Sequence, residues 1–415
     1  MRGRTNVGGG NGIFVNGDID FYTIADGNSI TAGDFVSRKI IPSIKQLYST
    51  SATPNKGDKV GDNLYLFVVN QYLTLVKFDG KTIEVVYAYT GYRVPHCYYD
   101  EETGIIWGTA YIGSSEYDWK IARFEIENEK IRLKDLFSEE HSGKYGDYLG
   151  VYEKNNTFII FSGSSTIQFD CYAVSENGQV ARNTFTKSFS SIKGMSFINN
   201  HGSRFYVLTS NSGTLNQTSA RYINVSETED EVELKFIRSA PSSYNTVGMA
   251  TSRVIEKSGK AFFVYSDSSG EKYGSVKICI YDMETENHTE YDILPVNENF
   301  RFLEISDFIT SDTFMVKINN KFLLLKYSWE TNSIEIYSNT IELDNRAYST
   351  CVPLVNQNSI GRFGQYATIF TVDGNTLLAG EDPKIIQPYD KDIGSIGLAK
   401  NSGKAGDSIA VYVPR

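Results

Sequence analysis

The sequence has 415 residues, 40% of them apolar and 13% aromatic, with a net charge of −10. That length fits two or three domains or one large repeat array, and the excess of Tyr and Phe over Pro and Met favours pleated, half-buried strands over helices. The acidic balance gives no electrostatic footprint for nucleic acid or an anionic membrane, and no apolar run reaches the ~18 residues of a membrane-spanning helix.

The opening Met1-Arg2-Gly3-Arg4 leads into no apolar signal-peptide core, so the protein is expected to be soluble and outside the usual secretory route. Gly8-Gly9-Gly10-Asn11-Gly12 follows no strand and opens no helix. It reads as a terminal arm that orders along a neighbouring subunit, not as a phosphate-cradling loop. Asp18 and Asp20 stand two apart, but Phe21 and Tyr22 occupy the places where a calcium loop needs further oxygen ligands. Next comes Ile24-Ala25-Asp26-Gly27-Asn28-Ser29-Ile30-Thr31-Ala32-Gly33-Asp34-Phe35-Val36, a polar turn, then Ala-Gly-Asp, then an alternating strand.

From about residue 38 to 385 a repeat takes over. An aromatic closing a short apolar run recurs at Phe78, Phe124, Tyr172, Tyr222, Tyr281, Tyr327 and Phe370. Its mean spacing of about 49 residues lies in the ~40–50 range of propeller repeats. Words such as Phe78-Asp79-Gly80-Lys81-Thr82 and Tyr281-Asp282-Met283-Glu284-Thr285 predict a strand ending in a polar hairpin. Four strands fit each unit; in the second they are predicted at 95–99, 105–110, 120–126 and 130–136. The reading is an all-β, seven-bladed β-propeller, with six or eight blades left open by the long step from Tyr222 to Tyr281 and the short last one. The seven aromatics are expected in the core between blades.

The closing stretch Leu398-Ala399-Lys400-Asn401-Ser402-Gly403-Lys404-Ala405-Gly406-Asp407-Ser408-Ile409-Ala410-Val411 repeats the phrase of the N-terminus. In both, the Gly suits the positive φ of a tight turn and the Asp side chain can accept from nearby backbone amides. The two ends are therefore expected to fold together into one small β-barrel with the propeller inserted between its strands: 1–37 and 386–415 for the barrel, 38–385 for the propeller.

The stretch from Ile393 to Pro414 resembles terminal segments of virion structural proteins from tailed phages of Gram-positive hosts, of the tail-fibre, head-fibre and decoration types. The resemblance is confined to the terminal pieces. It implies that Ala32, Gly33, Asp34, Ala405, Gly406 and Asp407 belong to a virion-anchoring module, that the partners are other virion proteins, and that the protein assembles into the virion in the host cytoplasm. Self-association into a homo-oligomer is expected as well.

Chemistry-bearing motifs are missing. The sialidase Asp-box word, the Gly-x-Ser-x-Gly elbow, His-Glu-x-x-His, the P-loop and the EF-hand loop do not occur. Cys97, Cys171, Cys279 and Cys351 are far apart in apolar segments and read as buried free thiols, and no metal or cofactor is called for. Among the carboxylates, Asp100, Glu101, Glu102, Glu139, Glu140, Asp147, Glu227, Glu229, Asp230 and Glu231 fall in predicted turns. They read as solvated edges, so no catalytic residue is assigned and the protein is expected not to be an enzyme. The long second-to-third connections at 111–118, 210–218 and 266–275 carry Tyr, Ser, Gly and Asn, the composition of binding loops. Tyr111, Tyr117, Asn211, Asn216 and Tyr273 are the candidate ligand-binding residues, for a host cell-wall glycan or a surface protein. The expectation is a noncatalytic tail or fibre component contributing to host attachment. A capsid decoration or head-fibre protein and a virion-associated polysaccharide-degrading enzyme are the alternatives.

Overall fold

A computed structural model describes residues 17–24, 27–38, 44–112, 119–137, 148–154, 157–163, 166–175, 177, 179–190, 192–210, 218–225, 232–238, 253–266, 275–294, 303–343, 351–379, 385–390 and 395–414. Within them the chain is strand and turn, with no helix. Seven antiparallel sheets follow one another along the chain, each with four strands in simple up-and-down order; the sixth and seventh each gain a short extra strand. The first consists of Pro54–Lys59, Leu64–Val69, Tyr72–Phe78 and Ile83–Ala88. The second, Cys97–Tyr99, Ile105–Tyr111, Trp119–Glu127 and Lys130–Phe137, matches the four strands expected there to within two residues.

The inner strands are apolar on both faces because each sheet is covered twice. In Tyr72–Phe78, Leu73 and Leu75 pack against the second sheet while Val76 and Phe78 pack against the seventh. The fourth strand, Ile83–Ala88, lies at the rim, where Ile83 alone is fully buried, Val85, Val86 and Tyr87 are half-buried, and Glu84 and Ala88 are exposed. Sheets buried on both faces read as continuous apolar runs, and a half-solvated rim strand mixes polar and apolar residues.

The apolar clusters between sheets form a closed sequence. Leu66 and Leu75 of the first sheet meet Ile106 and Phe124 of the second. Trp107 and Trp119 of the second meet Tyr172 and Val174 of the third, and Phe169 of the third meets Phe205 and Ile223 of the fourth. Tyr206 and Tyr222 lie with Phe263 and Tyr281 of the fifth, and Phe262 and Ile278 lie with Phe314 and Leu325 of the sixth. Met315 and Leu324 meet Ile360 and Phe370 of the seventh. Finally Phe67 and Val76 of the first sheet meet Leu354 and Phe363 of the seventh. All seven repeating aromatics stand in the third strands, and none is more than 4% exposed.

The junction of first and seventh sheets is also sealed by polar contacts. The Asn356 side-chain amide donates to the Phe78 carbonyl at 2.6 Å and to Asn63 Oδ1 at 2.8 Å, and the Tyr65 hydroxyl donates to the Val355 carbonyl at 2.7 Å. The short strand Lys45–Gln46, on the path from the N-terminus into the first sheet, pairs with Tyr366 and Ala367 of the seventh. Cys97, Cys171 and Cys279 are buried and not joined in disulfides; the Cys351 side chain lies outside the described residues.

The two ends of the chain form a separate curled sheet. Gly17–Ile24, Ile385–Pro388, Phe35–Arg38, Gly397–Ala399 and Ser408–Pro414 pair in that order and the last returns to the first, closing the sheet over five strands. Its interior is filled by Tyr22, Ile24, Ile30, Val36, Ala399, Ile409 and Val411.

Candidate functional site

The terminal sheet is built from both ends at once. Gly17–Ile24 runs antiparallel to Ser408–Pro414 in register from Gly17 opposite Pro414 to Thr23 opposite Ser408. Its two Ala-Gly-Asp turns are the same object made twice. In the first, the Thr31 amide donates to Asp34 Oδ2 at 2.8 Å and the Asp34 amide returns to the Thr31 carbonyl at 3.0 Å. In the second, the Lys404 amide donates to Asp407 Oδ2 at 2.8 Å and the Asp407 amide returns to the Lys404 carbonyl at 2.9 Å. Gly33 and Gly406 take φ of +94° and +85°, which a side chain would strain.

Each turn holds the other half of the chain. The Gly33 amide donates to the Ala399 carbonyl and the Ala399 amide to the Asp34 carbonyl, at 2.7 and 2.9 Å. Reciprocally, the Gly406 amide donates to the Ile24 carbonyl and the Ile24 amide to the Asp407 carbonyl, both at 2.9 Å. Ser29–Ile30 and Gly403–Lys404, which precede the two turns, pair with each other, and the Ala32 amide donates to Ser402 Oγ at 2.9 Å. Asp34→Ala and Asp407→Ala are each expected to lower stability by about 1 kcal/mol, the loss of hydrogen bonds to an exposed carboxylate, as read by urea unfolding.

The outer surface of this sheet is unusually apolar. Five large hydrophobic residues stand out as exposed in the described chain, and four of them, Ile19 at 42%, Phe21 at 61%, Phe35 at 57% and Tyr389 at 55%, are here. Strand register explains the clustering. Ile19 lies opposite Tyr412, Tyr412 opposite Leu398, and Leu398 opposite Phe35, so a charge-free row crosses four neighbouring strands. Tyr389 extends it, its amide donating to the Phe35 carbonyl at 3.1 Å. Lys400 is the cation beside the row, its ammonium 5.6 Å from the centre of the Tyr412 ring. With about 200 Å² per ring, the three exposed aromatics together leave on the order of 300 Å² in water, spread over more than one strand of the sheet.

The expected loop site is placed only in part. Tyr111 is the last residue of Ile105–Tyr111, in register with Trp119 and 8% exposed. Its amide donates to the Arg93 carbonyl at 2.8 Å, and the Arg93 guanidinium covers its ring at 4.4 Å. It is therefore a core residue, and the connection begins at 112. Tyr117, Asn211, Asn216 and Tyr273 lie outside the described residues. Of the carboxylates in turns, Asp100 accepts from the Glu102 amide at 3.0 Å and from the Thr103 hydroxyl, which makes it a turn brace. Glu139, Glu140, Asp147, Glu227, Glu229, Asp230 and Glu231 lie outside the described residues, as does the Gly8–Gly12 arm. Among the described residues no group of His, Cys, Asp and Glu is arranged to hold a metal ion.

Ile19, Leu398, Phe35, Tyr389 and Tyr412 were not singled out by the sequence reading. A signal existed: Ile19-Asp20-Phe21-Tyr22-Thr23-Ile24 places apolar residues on both faces of a strand at the end of a chain.

A titrating group sits where the first strands of neighbouring sheets approach one another. His96 immediately precedes Cys97–Tyr99, and burial pushes its imidazole down to about 4. The unfolded chain then binds a proton below about pH 6.5 that the folded chain refuses until about pH 4. Stability is expected to be complete above pH 6.5 and to fall across that window. His96→Gln should flatten the fall by close to one proton in a pH series of urea midpoints.

No family model matches the sequence, and no curated protein matches it. Among solved structures the chain is similar to a protein from Bacteroides fragilis named as a 6-phosphogluconolactonase, at 10% identity and a TM-score of 0.50, over 82% of this chain and 99% of that one. It is also similar to a functionally unknown protein from Desulfotomaculum acetoxidans, at 12% identity and a TM-score of 0.44, over 83% of this chain and 96% of that one. A further similarity is to hydrazine synthase from Kuenenia stuttgartiensis, at 7% identity and a TM-score of 0.47, over 78% and 95% of the two chains. The first likeness fits a β-propeller-like, all-β fold and carries nothing about activity.

Proposed function

We propose that the chain is a noncatalytic attachment protein: a seven-bladed β-propeller inserted into a small β-barrel that both termini build, with the barrel docking to a protein assembly and the propeller displayed from it. The circular order of the seven inter-sheet clusters supports the blade count. One observation carries the functional reading. The barrel that gathers both chain ends also bears four of the five exposed large hydrophobic residues found among the described residues, so the described apolar surface is concentrated where a docking module belongs.

The assembly is a tailed-phage particle, a placement that rests on the resemblance of the terminal segments. The protein's role there is that of a tail or fibre component contributing to host-surface attachment. A capsid decoration or head-fibre protein is the second reading, favoured by the same terminal barrel, which would clamp the shell equally well.

Incubating the pure protein with host cell walls tests the activity side. Pull-down with no release of reducing sugar is expected. Sugar release would overturn the noncatalytic reading, and the absence of any binding at micromolar protein would overturn the host-attachment role.

A further inference from the structure

The seam between the first and seventh sheets is closed by different means at its two ends. At the end marked by Asn63 and Asn356, side-chain hydrogen bonds from Asn356 and Tyr65 hold it. At the opposite end, beside the turn residues Asn70 and Gln365, it is crossed by the segment 45–53, which follows the barrel strand Phe35–Arg38. One half of this segment is bonded to the seventh sheet and the other half to the first. Lys45 and Gln46 pair with Ala367 and Tyr366, and the Leu47 and Tyr48 amides both donate to the Gln365 carbonyl, at 2.9 and 3.3 Å. Further on, the Thr53 amide donates to Asn70 Oδ1 at 3.1 Å, and Asn70 Nδ2 donates to the Ser51 carbonyl at 3.2 Å. Between these anchors Leu47, Tyr48 and Ala52 pack into the apolar cluster of the seam with Phe67, Leu354 and Phe363.

The two halves are not held equally. On the first-sheet side the segment runs on covalently into Pro54–Lys59. On the seventh-sheet side it is held by a two-residue strand, both of whose residues are exposed, and by the Tyr48 ring, 6.3 Å from that of Phe363. The Tyr48 hydroxyl is buried, and among the described residues nothing bonds to it; burial alone pushes the phenol up to about 12. A buried hydroxyl without a partner has given up its hydration without replacement, so it favours the detached state.

We propose that 45–48 is a releasable clasp: displacement of the barrel relative to the seventh sheet peels Lys45, Gln46 and Tyr48 away and frees the seam at this end, while Asn70 keeps hold of the first-sheet half. Short pairings with few buried contacts and exposed backbone bonds are the parts of a fold that open without global unfolding. The direction of peeling follows from connectivity, because the half nearer the barrel is the one less firmly held. The clasp requires nothing of what the barrel docks to, so it stands or falls separately from the attachment role.

Residue-resolved hydrogen exchange on the full chain tests it. The amides of residues 47 and 48 should exchange about 100-fold faster than those within Tyr72–Phe78, by an opening that low denaturant does not accelerate. Tyr48→Phe keeps the ring and removes the hydroxyl, and it should slow exchange at 47 and 48 about fivefold to tenfold. A disulfide between the register partners, made by Gln46→Cys with Tyr366→Cys, should suppress exchange at 47 and 48. It should also slow exchange in Leu64–Val69 and Cys351–Asn356 together, with both effects reversed on reduction. Protection at 47 and 48 equal to that within Tyr72–Phe78 would overturn the proposal. So would unchanged or faster exchange there in Tyr48→Phe, or a disulfide that protects 47 and 48 while leaving the seam as it was.

Discussion

Gly397→Ala is expected to abolish the terminal barrel while leaving the sheets between its strands folded. A Cβ at this position would sit 2.0 Å from the Tyr412 carbonyl oxygen and 2.8 Å from Val411 Cγ1. The first obstacle is backbone in a paired strand, since Leu398 and Ala399 are in register with Tyr412 and Val411. No rotamer relieves it, so the two strands must part, at a cost above about 3 kcal/mol. With Ser408–Pro414 displaced, Gly17–Ile24 loses the partner along most of its length. Two transitions are expected in calorimetry of the wild type, and the variant should lose one and keep the other within a few degrees. Gly33→Ala is the control: open space surrounds its Cβ, and φ of +94° alone limits the loss to about 1–2 kcal/mol.

Phe78→Ala should produce the largest loss within the seven packed sheets, about 3–5 kcal/mol for a fully buried ring. Phe78 is 0% exposed and shares a cluster with Phe67, Leu354 and Phe363, and the Phe67 and Phe363 rings lie 4.6 Å apart. The adjoining Gly361 shows how tight the junction is, because a Cβ there would lie 3.2 Å from the Phe78 ring and 2.9 Å from Ile83. This junction joins the first sheet to the last, so the ring depends on it without a covalent link. Amide exchange should therefore rise in Leu64–Val69 and Ser359–Gly364 together, although they are far apart in sequence. If protection fell in the first sheet alone, the closed order of the seven sheets would be wrong.

The parts of this architecture that are local in sequence were readable from it. The aromatic repeat landed in the core because an inner strand covered on both faces must be apolar throughout. The Ala-Gly-Asp turns formed as expected because one positive φ and one carboxylate decide them. What escaped depends on pairing between distant strands. The row of Ile19, Tyr412, Leu398 and Phe35 is invisible until register brings together residues from both ends of the chain. Tyr111 was assigned to a loop on composition, yet pairing with Trp119 extends the strand through it, and Arg93 closes over its ring.

The central claim is that the barrel made by the two termini docks and the propeller is displayed. A density map of the whole particle tests it most directly. The prediction is that barrels pack against one another and against the tail or fibre with the exposed row covered, and that the propellers project outward. Propellers buried in the particle with the barrel row facing solvent would contradict it.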